Sequence, residues 1–320
     1  MTMRRTSWRH TLAFCAAGAG LFAAPFATAR LAPPAAANPA DTVSGVTVTA
    51  PQPANPLVDP ATQFVRQHLP ESPFSEQFPR FHDKVCVKVQ GLPAEFDAFV
   101  TRRIVEMASQ VHAPLANAAD CRPNIHVIFS PQPQAQLSDI AKRRDILIGY
   151  QFLPQLKRMS RFTRPIQAWY VTRSVGDNGV STLDLFDPDR YDPAAGKVPP
   201  AGRAGSRLGN GMSAEIVHSL ILADANKVAG EKIDAIADYV AVLALARWQG
   251  LERCNAVPTI LNLMAEGCDA RDRPEAATPG DLALLTGLYQ IDPREAGEMQ
   301  RSSIASVIRK ATGSSGGTRH

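Results

Sequence analysis

The chain is short of cysteine, of aromatic residues and of net charge, and each shortage rules something out. Five cysteines occur in 320 residues and none forms a close pair, which argues against the C-x-x-C spacing of structural zinc modules. The formal net charge is only +4, and three of the positive charges (Arg4, Arg5 and Arg9) lie in the first 29 residues, so the remainder carries +1. That balance suggests no nucleic-acid surface. Beyond the N-terminus no run is long and apolar enough to span a bilayer, so no integral membrane segment is expected once a leader is removed. No internal repeat occurs.

What is present begins with a leader. Arg4, Arg5 and Arg9 make a positive start, Thr11 to Pro25 is small and apolar, and Ala27-Thr28-Ala29 supplies the small residues of a cleavage site. Residues 1–29 therefore read as a secretory signal peptide, and the mature chain is expected to be periplasmic or secreted. Residues 30–60 are rich in Ala and Pro and read as a disordered linker; residues 311–320 read as a flexible tail. A single folded domain is expected over 61–310.

Within it, Val85 to Val89 alternates as a strand, and Phe96, Phe99, Val100, Ile104, Met107 and Val111 repeat at helical spacing. Asn124 to Phe129 is a second strand, and Asp139 to Ile148 holds a short helix and strand. Ile166 to Val175 and Val180 to Phe186 form a hairpin across Asn178-Gly179. A Pro/Gly-rich loop spans 187–212, and Glu215 to Ala223 is the next strand. Glu231 to Trp248 is a strongly apolar central helix, with Ile233, Ile236, Val240, Leu243 and Ala244 as its buried stripe and Asp234 and Asp238 on another face. Two further helices follow, Thr278 to Tyr289 and Ala296 to Ile308. The fold class is α+β: a mixed β-sheet packed by helices, with a C-terminal helical part.

Cys15 leaves with the leader, and the even number remaining in an exported chain implies disulfides. Cys86, Cys121, Cys254 and Cys268 allow three pairings; the local one, Cys86–Cys121 with Cys254–Cys268, is the simplest.

Other constellations read as structural. Glu215 and His218 have odd spacing, which on a regular strand sets them on opposite faces. Asp184, Asp187, Asp189 and Asp192 lack the spacing of a calcium loop and read as solvated turns. The glycine-rich run Gly202 to Gly211 follows a loop and precedes a strand, the reverse of a phosphate loop.

The element order, with Ala237-Asp-Tyr-Val-Ala-Val-Leu-Ala-Leu245, Pro258-Thr-Ile-Leu-Asn-Leu-Met264 and Thr278-Pro-Gly-Asp281, resembles the metzincin-type zinc metallopeptidases over roughly residues 80–292. It also looks like exported proteins of Gram-negative bacteria. The resemblance implies a zincin-like fold with an active-site helix, a methionine turn and a closing helix. It also implies that Ala237 and Ala241 stand where two histidines bind zinc, Asp238 where a glutamate acts as base, Ala244 at a glycine and Arg247 at a third histidine. Alanine cannot coordinate a metal and arginine repels one. The expectation is thus a degenerate scaffold with no catalytic set, no metal and no cofactor, acting by binding a protein or envelope component. The alternative is a hydrolase of another class using Asp238 or His218 in a cleft beside the central helix.

Overall fold

A computed structural model describes residues 59–149, 153–184 and 211–313. All of them belong to one compact unit, Pro53–His320. The expected leader, almost all of the linker, most of the 187–212 loop and most of the tail lie outside the described residues.

The first described element was not foreseen. Asp59 caps α1 (Pro60–His68) by accepting the amides of Ala61 and Thr62, and Pro60 sits in the first turn where its missing N–H costs nothing. The next unit runs β1 (Val87–Gln90), α2 (Ala94–Gln110) and β2 (Ile125–Ser130). Val100, Ile104, Met107 and Ala108 form the buried stripe of α2, at the spacing the sequence displays. Then come α3 (Pro133–Arg143), α4 (Leu153–Met159), β3 (Ile166–Gly176), β4 (Ser181–Leu183) and β5 (Met212–Asp224). The expected strand near Ile148 is instead a turn of 3-10 helix at Asp145–Ile148, and α4 is additional.

The strands form one mixed sheet in the order β1-β2-β5-β3-β4. β1, β2 and β5 run parallel, while β3 pairs antiparallel with β5 and with β4. One face carries α2 and the long apolar helix α5 (Ile233–Leu245) in the main core. The other carries a smaller core of Leu137, Ile148, Trp169, Leu220 and Leu222, against which Leu156 and Met159 of α4 pack. Trp169 Nε1 donates to the carbonyl of Met159 at 2.8 Å, satisfying a buried indole there.

The ladder between β3 and β5 slips once. Val171 faces His218 but Thr172 faces Ile216, so Val217 is an extra residue, a β-bulge. Partners across a ladder share a face, and Val171 and Arg173 share one by being two apart. Glu215, opposite Arg173, therefore lies on the same face as His218. The odd spacing predicts the reverse; the bulge adds the residue that restores the phase.

The C-terminal part is α6 (Pro279–Gln290) packed on α7 (Gly297–Gly313), which also covers α1. Thr278 and Asp281 close a capping box. Buried Asp281 further accepts Thr259 Oγ1 at 2.5 Å and the Ile260 amide at 2.8 Å, so one carboxylate fixes the start of α6 to the Ile260–Met264 turn. Both disulfides have the local pairing, Cys86–Cys121 with Cα atoms 5.3 Å apart and Cys254–Cys268 with 5.0 Å. Each is braced by backbone bonds: Asn124 N donates to Cys86 O, and Cys254 N to Glu266 O. Among the described residues no helix is long and apolar enough to cross a membrane.

Candidate functional site

The central helix is buried all round rather than along one stripe. Every residue from Ala235 to Leu245 is buried, because β5, α2, α6 and the Ile260–Met264 turn enclose it. Its last turn would leave four carbonyls orphaned in this core. Each finds a side-chain donor: Trp248 Nε1 to Val242 O (2.9 Å), Tyr170 OH to Leu243 O (2.9 Å), Ser219 Oγ to Ala244 O (3.2 Å) and Tyr289 OH to Leu245 O (2.8 Å). Four different segments thus lock one helix end.

Asp238 does not face solvent; it is 1% exposed. Arg103 of α2 grips its carboxylate through Nε and Nη2, and the Ala277 amide donates to Oδ2 at 2.7 Å. It clamps α5 to α2 and to the entry of α6. Ala237, Ala241 and Ala244 are fully buried and bring only methyl groups. Arg247, just beyond the helix, has a sealed Nη1 with no hydrogen-bond partner.

His218 points the other way. Its neighbour Ser219 reaches α5, so His218 lies on the opposite sheet face, the face of Leu220 and Leu222. Asp238 and His218 are therefore not brought together. His218 instead stacks on His126 of β2, with Nε2 2.7 Å from His126 Nδ1. Burial, and then the charge on His126, push the His218 imidazole from an ordinary 6.5 down to about 4; burial, with Lys88 and Arg144 adding to it, also lowers His126. The pair is neutral at physiological pH, and the buried His218 Nδ1 has no partner. On the same face Arg173 Nε donates to Glu215 Oε2 at 2.6 Å, and His82 Nδ1 lies 3.5 Å from Glu215 Oε1.

Sequence reasoning missed two features. A cavity of about 110 Å³ opens between β3 and the second half of α5, lined by Arg164, Gln167, Tyr170, Tyr239, Trp248 and Gln249. It lies beside the central helix, but neither Asp238 nor His218 borders it. The other is Asp184, expected in a solvated turn but only partly exposed, with Oδ1 accepting Ser174 Oγ at 2.9 Å. The remaining members of its acidic run, and the glycine-rich run up to Asn210, lie outside the described residues. No group of three or more His, Cys, Asp or Glu side chains among the described residues is placed to hold a metal ion. Comparison with protein-family models, with curated proteins and with solved structures finds no match to this chain.

Proposed function

We propose that this chain is an exported, non-catalytic binding protein on a degenerate zincin-like scaffold, periplasmic or secreted, whose partner is a protein or an envelope component. The observation that carries the reading is the closure of Asp238. A general base needs an open face and a water to act on; this carboxylate is buried and already has three donors. The scaffold reading is supported by α2 and α5 lying in one core layer, and by the Met264 turn packing against α5 and being tied to α6 through Asp281. Two disulfides support an oxidising compartment.

Elemental analysis of the purified mature protein after dialysis tests it. The expected result is no stoichiometric zinc, with or without Asp238→Asn; one zinc per chain would overturn the reading. The unpaired Nδ1 of His218 favours a second reading, a hydrolase of another class using that histidine on the outer sheet face. For that reading, any hydrolytic activity must disappear in His218→Ala, and activity that survives removes it.

A further inference from the structure

Six polar side chains border the cavity between β3 and the second half of α5, and four of them are engaged in the fold. Tyr170 OH and Trp248 Nε1 donate to the last carbonyls of α5. Gln167 accepts the Thr163 amide at 3.0 Å and donates to Arg161 O at 3.1 Å, and Gln249 Nε2 donates to Gln67 O at 3.3 Å. Tyr239 differs. It is only 2% exposed, yet its hydroxyl has no hydrogen-bond partner among the described residues. Buried hydroxyls are almost always partnered, because an unpartnered one forfeits its hydration. For Tyr239 the partner has to come from the cavity it borders. The sixth group, Arg164, pairs through Nη2 with Glu252, but both side chains stay partly in solvent, 32% and 56% exposed. An ion pair of that kind contributes little, so the guanidinium is lightly held.

The two groups left over are both donors, and no carboxylate borders the cavity. Burial raises the Tyr239 phenol above its ordinary range, so it keeps its proton. We propose that this cavity binds a small monocarboxylate of acetate to propionate size, with one oxygen on Tyr239 OH and the other on the Arg164 guanidinium. Size sets the class: a cavity of about 150 Å³ takes benzene, so about 110 Å³ takes roughly four or five heavy atoms. The short alkyl group lies against Ile166, Leu243 and Leu251. Inorganic phosphate is of similar size but fits worse, since its further oxygens would meet those apolar walls without donors. Glu252 competes with the ligand for Arg164 and acts as a latch on the guanidinium. The inference goes beyond the binding reading and does not depend on the zinc result.

Calorimetric titration of the mature protein in chloride buffer with propionate, propionamide and inorganic phosphate tests it. Propionate should bind saturably, and propionamide and phosphate at least about tenfold more weakly. Tyr239→Phe should weaken propionate about tenfold while leaving the melting temperature of the free protein unchanged, because the hydroxyl bonds nothing in the fold. Arg164→Gln should abolish binding, and Glu252→Gln should tighten it by freeing the guanidinium. Absence of saturable propionate binding, equal binding of propionamide, or unchanged affinity in Tyr239→Phe would overturn the proposal and leave a cavity that holds only water.

Discussion

Asp238 and Arg247 belong to the same stretch of chain, one inside the central helix and one just past its end, and both carry a charge into the interior. Asp238 has Arg103 and the Ala277 amide closed around it; the Nη1 of Arg247 has nothing. The first arrangement holds helices together. The second leaves a desolvated donor unanswered. A buried charge by itself thus says little; the completeness of its hydrogen bonding shows which charge holds the fold together.

The comparison breaks first at Arg103. Arg103→Met leaves the buried Asp238 carboxylate with only the Ala277 amide; because the Arg103 side chain is itself 39% exposed, the cost in urea denaturation should fall at the lower end of the roughly 3–5 kcal/mol of a fully buried pair. Arg247→Met removes a cation without a partner and should leave stability unchanged or raise it, so the two substitutions should differ in sign as well as size. If both destabilise equally, Arg247 is as structural as Asp238.

The outer sheet face supplies the next effect. His218 is held neutral when folded, with its pKa lowered from 6.5 to about 4, whereas the unfolded chain takes up a proton below about 6.5. The folded state therefore binds fewer protons in that window. Stability is full above the unfolded value and is lost as pH falls from 6.5 towards 4, by roughly 3 kcal/mol. His218→Gln should flatten that slope; an unchanged slope would assign it to other groups.

Breaking Cys254–Cys268, whose sequence separation is 14, should cost about 3 kcal/mol on the loop-entropy model. The loss should appear first in hydrogen exchange of the Ile260–Met264 turn and α6, with α2 spared. The smallest effect belongs to the helix end: Tyr289→Phe leaves the Leu245 carbonyl short of its donor and should cost about 1–2 kcal/mol.

Much of this fold is legible in the chain. The helical spacing of Val100, Ile104 and Met107, the Asn178-Gly179 turn and the Thr278/Asp281 cap each carry a local signal that the structure reproduces. α1 carries helical spacing at Ala61, Phe64, Val65 and His68, but over only nine residues next to an Ala/Pro-rich stretch, so the signal is short. The bulge at Val217 has no glycine or proline to mark it. The candidate sites are less legible for a physical reason: their partners are remote in sequence. Arg103 and Asp238 are 135 positions apart, and neither residue's neighbours announce the other. Asp184 looks like part of an acidic turn until Ser174 is set beside it.

A double-mutant cycle on Arg103 and Asp238, using Arg103→Met, Asp238→Asn and the combined variant in urea denaturation, measures the clamp most directly. The account predicts a coupling of about 2 kcal/mol or more between the two sites, with no change in zinc content. A coupling near zero, with each substitution leaving stability intact while zinc or hydrolytic activity is lost, would contradict it.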